Sequence, residues 1–266
     1  MPNAYLKCRL GLGDQLANHF HRRTSAKNIA RLWNGKMSGR FDRIAVIPPK
    51  ETDDGFDGWN PAALEIYAAL GIQTRDENGI DGWTDVTTLE GDDQPRLQVP
   101  TVPPPFAIPA RYILFSQHAG RPDRCLDHPE LYQRIKDAVR LPVVKVGCPW
   151  REGTDIAPIE SDLNLSGRTT VPQTAWLAKH AVAVVAPISF HRCWTWAFGV
   201  PCIEIAQHGR ILQEMVDKTN REYAERSYGT NDLNFWLTIP QQWHDLERCL
   251  KLCVERETKG IVTLWT

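Results

Sequence analysis

Apolar and polar positions fall into two rhythms along this chain, and the clearest succession of them runs from Asn164 to Ala206. Thr170 and Gln173 stand at capping-box spacing with Pro172 between them, which starts a helix at about Val171 and carries it to about His180. AVAVVA at 181–186 is apolar at every position, the pattern of a strand covered on both faces. Pro187 and Ser189 break that run. Ser189 is placed to cap a second helix, whose apolar stripe is Phe190, Cys193, Trp194 and Ala197. Gly199 and Pro201 stop that helix, and CIEIA at 202–206 is the next strand. A helix that starts after a buried parallel strand puts its N-terminus at the carboxyl edge of the sheet, where α/β proteins hold phosphate groups. The amides near Ser189 and Phe190 are therefore expected to face a nucleotide. The plainer alternative is a βαβ unit that carries no ligand.

The same rhythm recurs on both sides. AYLKCRL (4–10) reads as a strand, and Gly11-Leu12-Gly13-Asp14 is a tight turn into a helix carrying Leu16, Ala17 and Phe20. FDRIAVIPP (41–49) is a second strand. Asn60 and Pro61 open a helix with Ala63, Ile66, Tyr67 and Leu70 on one face, closed by Gly71. Residues 76–98 are acidic and Gly-rich, mostly loop with one strand. VPTVPPPFAIPAR (99–111) carries five prolines and reads as a semi-rigid linker. Beyond it, YILFSQ (112–117) and VVKVGC (143–148) are strands around a helix opened by Pro129 with Leu131, Ile135, Ala138 and Val139 on its stripe. A terminal helix carries Trp243, Leu246, Leu250 and Cys253. The expectation is an α/β protein with an N-terminal domain over 1–100, a C-terminal domain over 110–240, and a helix and tail at 241–266.

Composition narrows the class. The chain has 266 residues, enough for one large or two small domains. Its 31 Lys and Arg balance 32 Asp and Glu, so no global field draws it to a polyanion or a membrane surface. No apolar run approaches the ~20 residues of a spanning helix, and the first residues lack the apolar core of a signal peptide. Seven cysteines, an odd number without paired CxxC spacing, read as reduced thiols, which places the chain in the cytoplasm.

Rival nucleotide motifs fail on particular residues. The turn at Gly11 and Gly13 lacks the third glycine of a dinucleotide fingerprint, and no acidic residue closes the second strand. There is no GxxxxGK[ST]. There is also no Asp-x-Asp, the usual divalent-metal anchor for a sugar diphosphate, and Glu90-Gly91-Asp92-Asp93 reads as a solvated loop. His19 and His21, two apart on a helix, point to different faces and do not form a metal pair.

GLGDQL after the first strand, YILFSQHAGRPDR, VVKVGCPWRE and LSGRTTVPQTAWLAKHAVAVVAPISFHRCWTWAFGVPCIEI together resemble the heptosyltransferase-type glycosyltransferases. These four blocks stand in the family's order over residues 5–206, while 50–110 match nothing clearly. The resemblance implies two Rossmann-like domains facing across a cleft (the GT-B class), with a compact N-terminal domain. It implies inverting transfer of a sugar from a nucleotide-diphosphate donor to an acceptor hydroxyl, with no obligatory metal and no other cofactor. It makes Asp14 the catalytic base, a role a carboxylate can fill by accepting the acceptor's hydroxyl proton. The turn Gly11, Gly13 and Gln15 lies on the acceptor side. Arg124 and Arg121 become the cations for the leaving diphosphate, and Glu152 the acidic residue near the donor ribose or base, with Trp150 beside it.

The chain departs from the family at Ile188-Ser189-Phe190-His191-Arg192-Cys193, where only the serine of the usual motif remains. His191 and Arg192 become substitute phosphate contacts. In this class the terminal helix commonly crosses back onto the first domain. The expected partners are a nucleotide-sugar donor and a glycan or other hydroxyl acceptor. An acceptor on a hydroxymethylated DNA base is the runner-up, disfavoured by the near-neutral charge. A non-catalytic nucleotide-sugar binding module and a sugar-nucleotide epimerase or hydrolase remain as further alternatives.

Overall fold

The computed structural model describes residues 2–7, 39–47, 68, 72–85, 101–119, 124–147, 156–187, 189, 191, 195, 198–206 and 234–258. The chain divides into two compact units, Met1–Pro100 and Thr101–Thr266.

The first unit is built on four parallel strands, β1 (Ala4–Lys7), β2 (Ile44–Ile47), β3 (Gln73–Thr74) and β4 (Thr84–Asp85). Their order across the sheet is β3-β2-β1-β4. β2 is buried at all of its positions, and β1 lies against it from Ala4↔Ile44 to Lys7↔Ile47. The strand order reverses beside β1, between β2 on one flank and β4 on the other. Gly11, Gly13, Asp14 and Gln15 follow β1 in the chain but lie outside the described residues, as does the helix expected after them. Of the helix expected from Asn60, Ala68 is described and is helical.

The second unit holds six parallel strands: β5 (Ile113–Ser116), β6 (Val143–Val146), β7 (Leu163–Asn164), β8 (Ala183–Pro187), β9 (Cys202–Ala206) and β10 (Asn234–Thr238). They lie in the order β10-β9-β8-β5-β6-β7. Counted from β5, this is the doubly wound order 3-2-1-4-5-6 of dinucleotide-binding folds. β5, β6, β8 and β9 are buried throughout, which is why their sequences read as unbroken apolar runs. α/β with two parallel sheets is thus the architecture. The sequence reading overlooked β3, β7 and β10.

Three described helices cover this second sheet. α1 (Leu131–Val139) buries Leu131 and Ile135, and it ends at Arg140, whose left-handed φ of 54° lets its N–H return to Lys136 O. α2 spans Val171–His180, as its capping signals predict. Thr170 Oγ1 accepts the Gln173 N–H at 3.4 Å while Gln173 Oε1 accepts the Thr170 N–H at 2.9 Å, so two otherwise orphaned donors are satisfied. The Tyr112 hydroxyl donates to Leu177 O at 2.7 Å and ties the start of β5 under α2. α3 (Trp243–Thr258) presents Leu246, Cys249, Leu250 and Cys253 to a core that includes Leu131 and Ile135 of α1 and Val185 of β8. The Arg134 guanidinium of α1 stacks 4.6 Å from the Trp243 ring and lies 3.5 Å from Glu247. The buried stripe of the terminal helix thus packs against core residues of the second unit.

Residues 101–110 of the Pro-rich segment fall in the second unit. The Val102 N–H donates to Pro172 O at 3.2 Å, and Arg168 stacks 4.7 Å from the Phe106 ring. Extended proline-rich backbone has few internal hydrogen bonds, so it is fixed by what it lies against, here the start of α2.

Cys125, Cys202, Cys249 and Cys253 are buried and form no disulfide among the described residues. Burial pushes the Cys249 thiol up to about 11 and that of Cys253 up to about 12, so both are inert as nucleophiles.

Removing the cap of α2 tests this account. Thr170→Ala is expected to lower unfolding free energy by about 1 kcal/mol. A urea transition of the variant that coincides with wild type would show that α2 is held by packing alone.

Candidate functional site

Strand order in the second sheet reverses between β5 and β8. Connections leaving neighbouring strands in opposite directions open a crevice beyond their carboxyl ends, and ligands of open α/β sheets bind there. Ser116, Gln117, His118 and Ala119 stand at that end of β5, and Pro187, Ser189 and His191 at that end of β8. Arg124 and Ser189, two residues singled out from sequence, thus belong to connections that leave adjacent strands at one edge.

The connection after β5 closes on its own root. The Leu126 N–H donates to Gln117 O at 2.9 Å, and the Ala119 N–H meets Cys125 Sγ at 3.4 Å. Arg124, half-buried, sits one residue before that closure. Its partner Arg121 lies outside the described residues. β6 ends at Gly147, whose φ of +115° is open to glycine and strained for any other residue. A Cβ there would stand 3.1 Å from Ser116 Oγ, so this glycine lets β6 end hard against β5. Its carbonyl accepts the Gly167 N–H at 2.8 Å, which ties in the turn after β7. Glu152 and Trp150, further along the same connection, are not among the described residues.

Ser189 departs from its expected part. Its hydroxyl is buried, yet it finds no hydrogen-bond partner among the described residues, so it does not serve as the N-cap its position suggested. A buried hydroxyl left over by the fold is a group for which a ligand would account. Phe190 and Arg192 lie outside the described residues. His191, with Thr195 and Phe198, is helical and only 1% exposed. Burial lowers its pKa to about 4, so the ring is neutral near pH 7 and can meet a phosphate only as a neutral group.

Buried polar groups also escaped the sequence reading, Lys145 among them. Lys145 sits in the middle of the apolar run of β6, is only 2% exposed, and its Nζ donates to Gln117 Oε1 at 2.6 Å and to Ile159 O at 2.9 Å. The signal was legible: a single lysine inside VVKV has to bury its charge or break the strand. Among the described residues no group of His, Cys, Asp and Glu is arranged to hold a metal ion, and no helix is long and apolar enough to cross a membrane.

No family profile matches the sequence, and no curated protein matches it. In structure the chain is similar to the ADP-heptose lipopolysaccharide heptosyltransferase II of E. coli, at 13% identity over 97% of this chain and 100% of that one, with a TM-score of 0.49. It is similar to the iron-containing glycosyltransferase TibC of enterotoxigenic E. coli, at 11% identity over 77% of this chain, with a TM-score of 0.48. It spans 59% of the length of TibC. The E. coli heptosyltransferase WaaC with ADP-2-deoxy-2-fluoro heptose is a third such structure, at 10% identity over 96% of this chain and 99% of that one, with a TM-score of 0.44.

The neutral state of His191 has a measurable consequence. Its pKa falls from 6.5 to about 4 on folding, so between those values the unfolded chain binds a proton that the folded chain does not. The stability tied to the neutral ring is complete above the unfolded value and is lost as pH falls toward the folded one. It amounts to roughly 2 kcal/mol by about pH 5, at about 1.4 kcal/mol per pH unit. Urea unfolding of wild type and His191→Gln at neutral and mildly acid pH measures it. The variant should lose that share of the pH dependence, and equal slopes in both proteins would place the effect elsewhere.

Proposed function

We propose that this chain is a glycosyltransferase that holds the diphosphate of a nucleotide-sugar donor at the carboxyl edge of its second sheet. The observation that supports the reading is that Arg124 and the spare Ser189 hydroxyl stand on connections from the adjacent strands β5 and β8, where the strand order reverses. A diphosphate needs a cation and hydrogen-bond donors, and this edge offers both. The order of the sequence blocks GLGDQL, HAGRPDR, VGCPWRE and LSGRTT supports the same class.

On this reading the acceptor oxygen attacks the anomeric carbon of the donor from the side opposite the leaving group, and the bond to the diphosphate oxygen breaks with inversion. Asp14 takes the hydroxyl proton as the new glycosidic bond forms. The electron pair of the broken bond stays on the nucleoside diphosphate, whose added charge Arg124 and the donors near Ser189 stabilise. Arg121, Arg192 and Glu152 are assigned to the donor, and Gly11, Gly13 and Gln15 to the turn that presents Asp14. Since no Asp-x-Asp is present to anchor a divalent ion, the arginines carry the charge neutralisation.

Calorimetric titration with ADP, GDP, UDP and CDP tests the donor site. At least one should bind, and Arg124→Ala should weaken it roughly 10- to 100-fold, the loss of a charge-assisted bond. Asp14→Asn should leave that binding intact and slow sugar transfer by roughly 10²–10⁴-fold. A wild-type protein that binds none of the four, or an Arg124→Ala variant with unchanged affinity, would sink the assignment.

Chelation supplies a separate check. Transfer is expected to continue in EDTA at its original rate. Loss of activity that Mg²⁺ or Mn²⁺ restores would mean that a metal, and not Arg124, neutralises the diphosphate.

A further inference from the structure

We infer that Gln117 and Lys145 are a positioning pair, which closes the connections after the neighbouring strands β5 and β6 and so sets how they meet a nucleoside diphosphate. The inference deepens the donor-site reading above and rests on it for the ligand.

Gln117 follows β5 and is wholly buried. All four hydrogen-bonding positions of its amide are filled. Nε2 donates to Leu126 O at 3.1 Å and to Ala157 O at 2.6 Å, while Oε1 accepts from the Ile159 N–H at 2.9 Å and from Lys145 Nζ at 2.6 Å. Leu126 is where the connection after β5 returns to its root. Ala157 and Ile159 stand on the returning side of the connection after β6. One side chain therefore ties together the closing ends of the two connections that carry Arg124 and Glu152.

Lys145 decides which way that amide faces. An ammonium only donates, so it must meet Oε1, and this turns the NH₂ group toward the two carbonyls. Both hydrogen-bond partners of Lys145 are neutral oxygens, and burial lowers its pKa. Burying an ammonium against neutral partners costs more than an apolar residue would at the same strand position. What the lysine supplies in return is a fixed orientation for Gln117. A fully satisfied buried network of this kind holds its members in one geometry.

Gln117→Glu separates the two halves of the network. The carboxylate still accepts from Lys145 and Ile159, but it has no N–H for Leu126 O or Ala157 O. Lys145→Met does the reverse, leaving the amide without its orienting donor. Hydrogen exchange read by mass spectrometry should show the segments 117–126 and 145–159 exchanging faster together in each variant. Affinity for whichever of ADP, GDP, UDP and CDP binds wild type should fall about ten-fold or more. Cys253→Ala, a core change far along the chain in α3, supplies a destabilised control and should leave that affinity as it is. Loosening of one segment alone would overturn the coupling. Loosening of both with wild-type affinity, or an equal loss of affinity in Cys253→Ala, would overturn the positioning role. If wild type binds none of the four nucleotides, the donor-site reading fails instead, and the exchange data still decide whether the pair joins the two connections.

Discussion

A parallel strand buried on both faces can offer polar chemistry only where it ends. β5, β6, β8 and β9 are such strands, and their carboxyl ends all open on one edge of the sheet. The reversal of strand order between β5 and β8 then fixes where along that edge the connections part. Arg124, Gly147, Ser189 and His191 owe their shared neighbourhood to this constraint and not to nearness in sequence. The same constraint explains the glycine at position 147, since side chains crowd hardest where adjacent strands end together.

Burial also decides how charge is distributed there. His191 is neutral because the protein interior disfavours its protonated form, and Lys145 is shifted in the same sense. Arg124, half-buried, lies nearer the surface of the same edge.

Much of the fold was legible because local signals agreed with the tertiary outcome. The Thr170–Gln173 box, the unbroken apolar run at 181–186 and CIEIA each met their predicted element. β3 and β7 escaped because two-residue strands carry no period, and β10 escaped because NFWLT mixes polar and apolar residues without alternation. The prolines at 100–109 suggested a linker, but composition says only that such backbone is extended, not what it lies on. At the site, the sequence named Arg124 and Ser189, and the fold brought their connections to one edge. It could not foresee that Ser189 would leave its capping bond unmade, since that depends on how the helix enters. Nor could it find Gln117, whose partners come from positions 126, 145, 157 and 159 and meet only after folding.

The place of α3 in the core bears on how the chain is made. α3 covers Leu131 and Ile135 of α1 and packs toward β8, yet it is translated more than a hundred residues after α1. Until residues 243–258 emerge from the ribosome, the growing second unit lacks the helix that covers this apolar face. Nascent chains in that state are the ones that chaperones hold. The helix that completes the core is thus also the clock for release, and a stop codon placed before Trp243 would yield a polypeptide whose sheet is built but whose surface is still that of an intermediate.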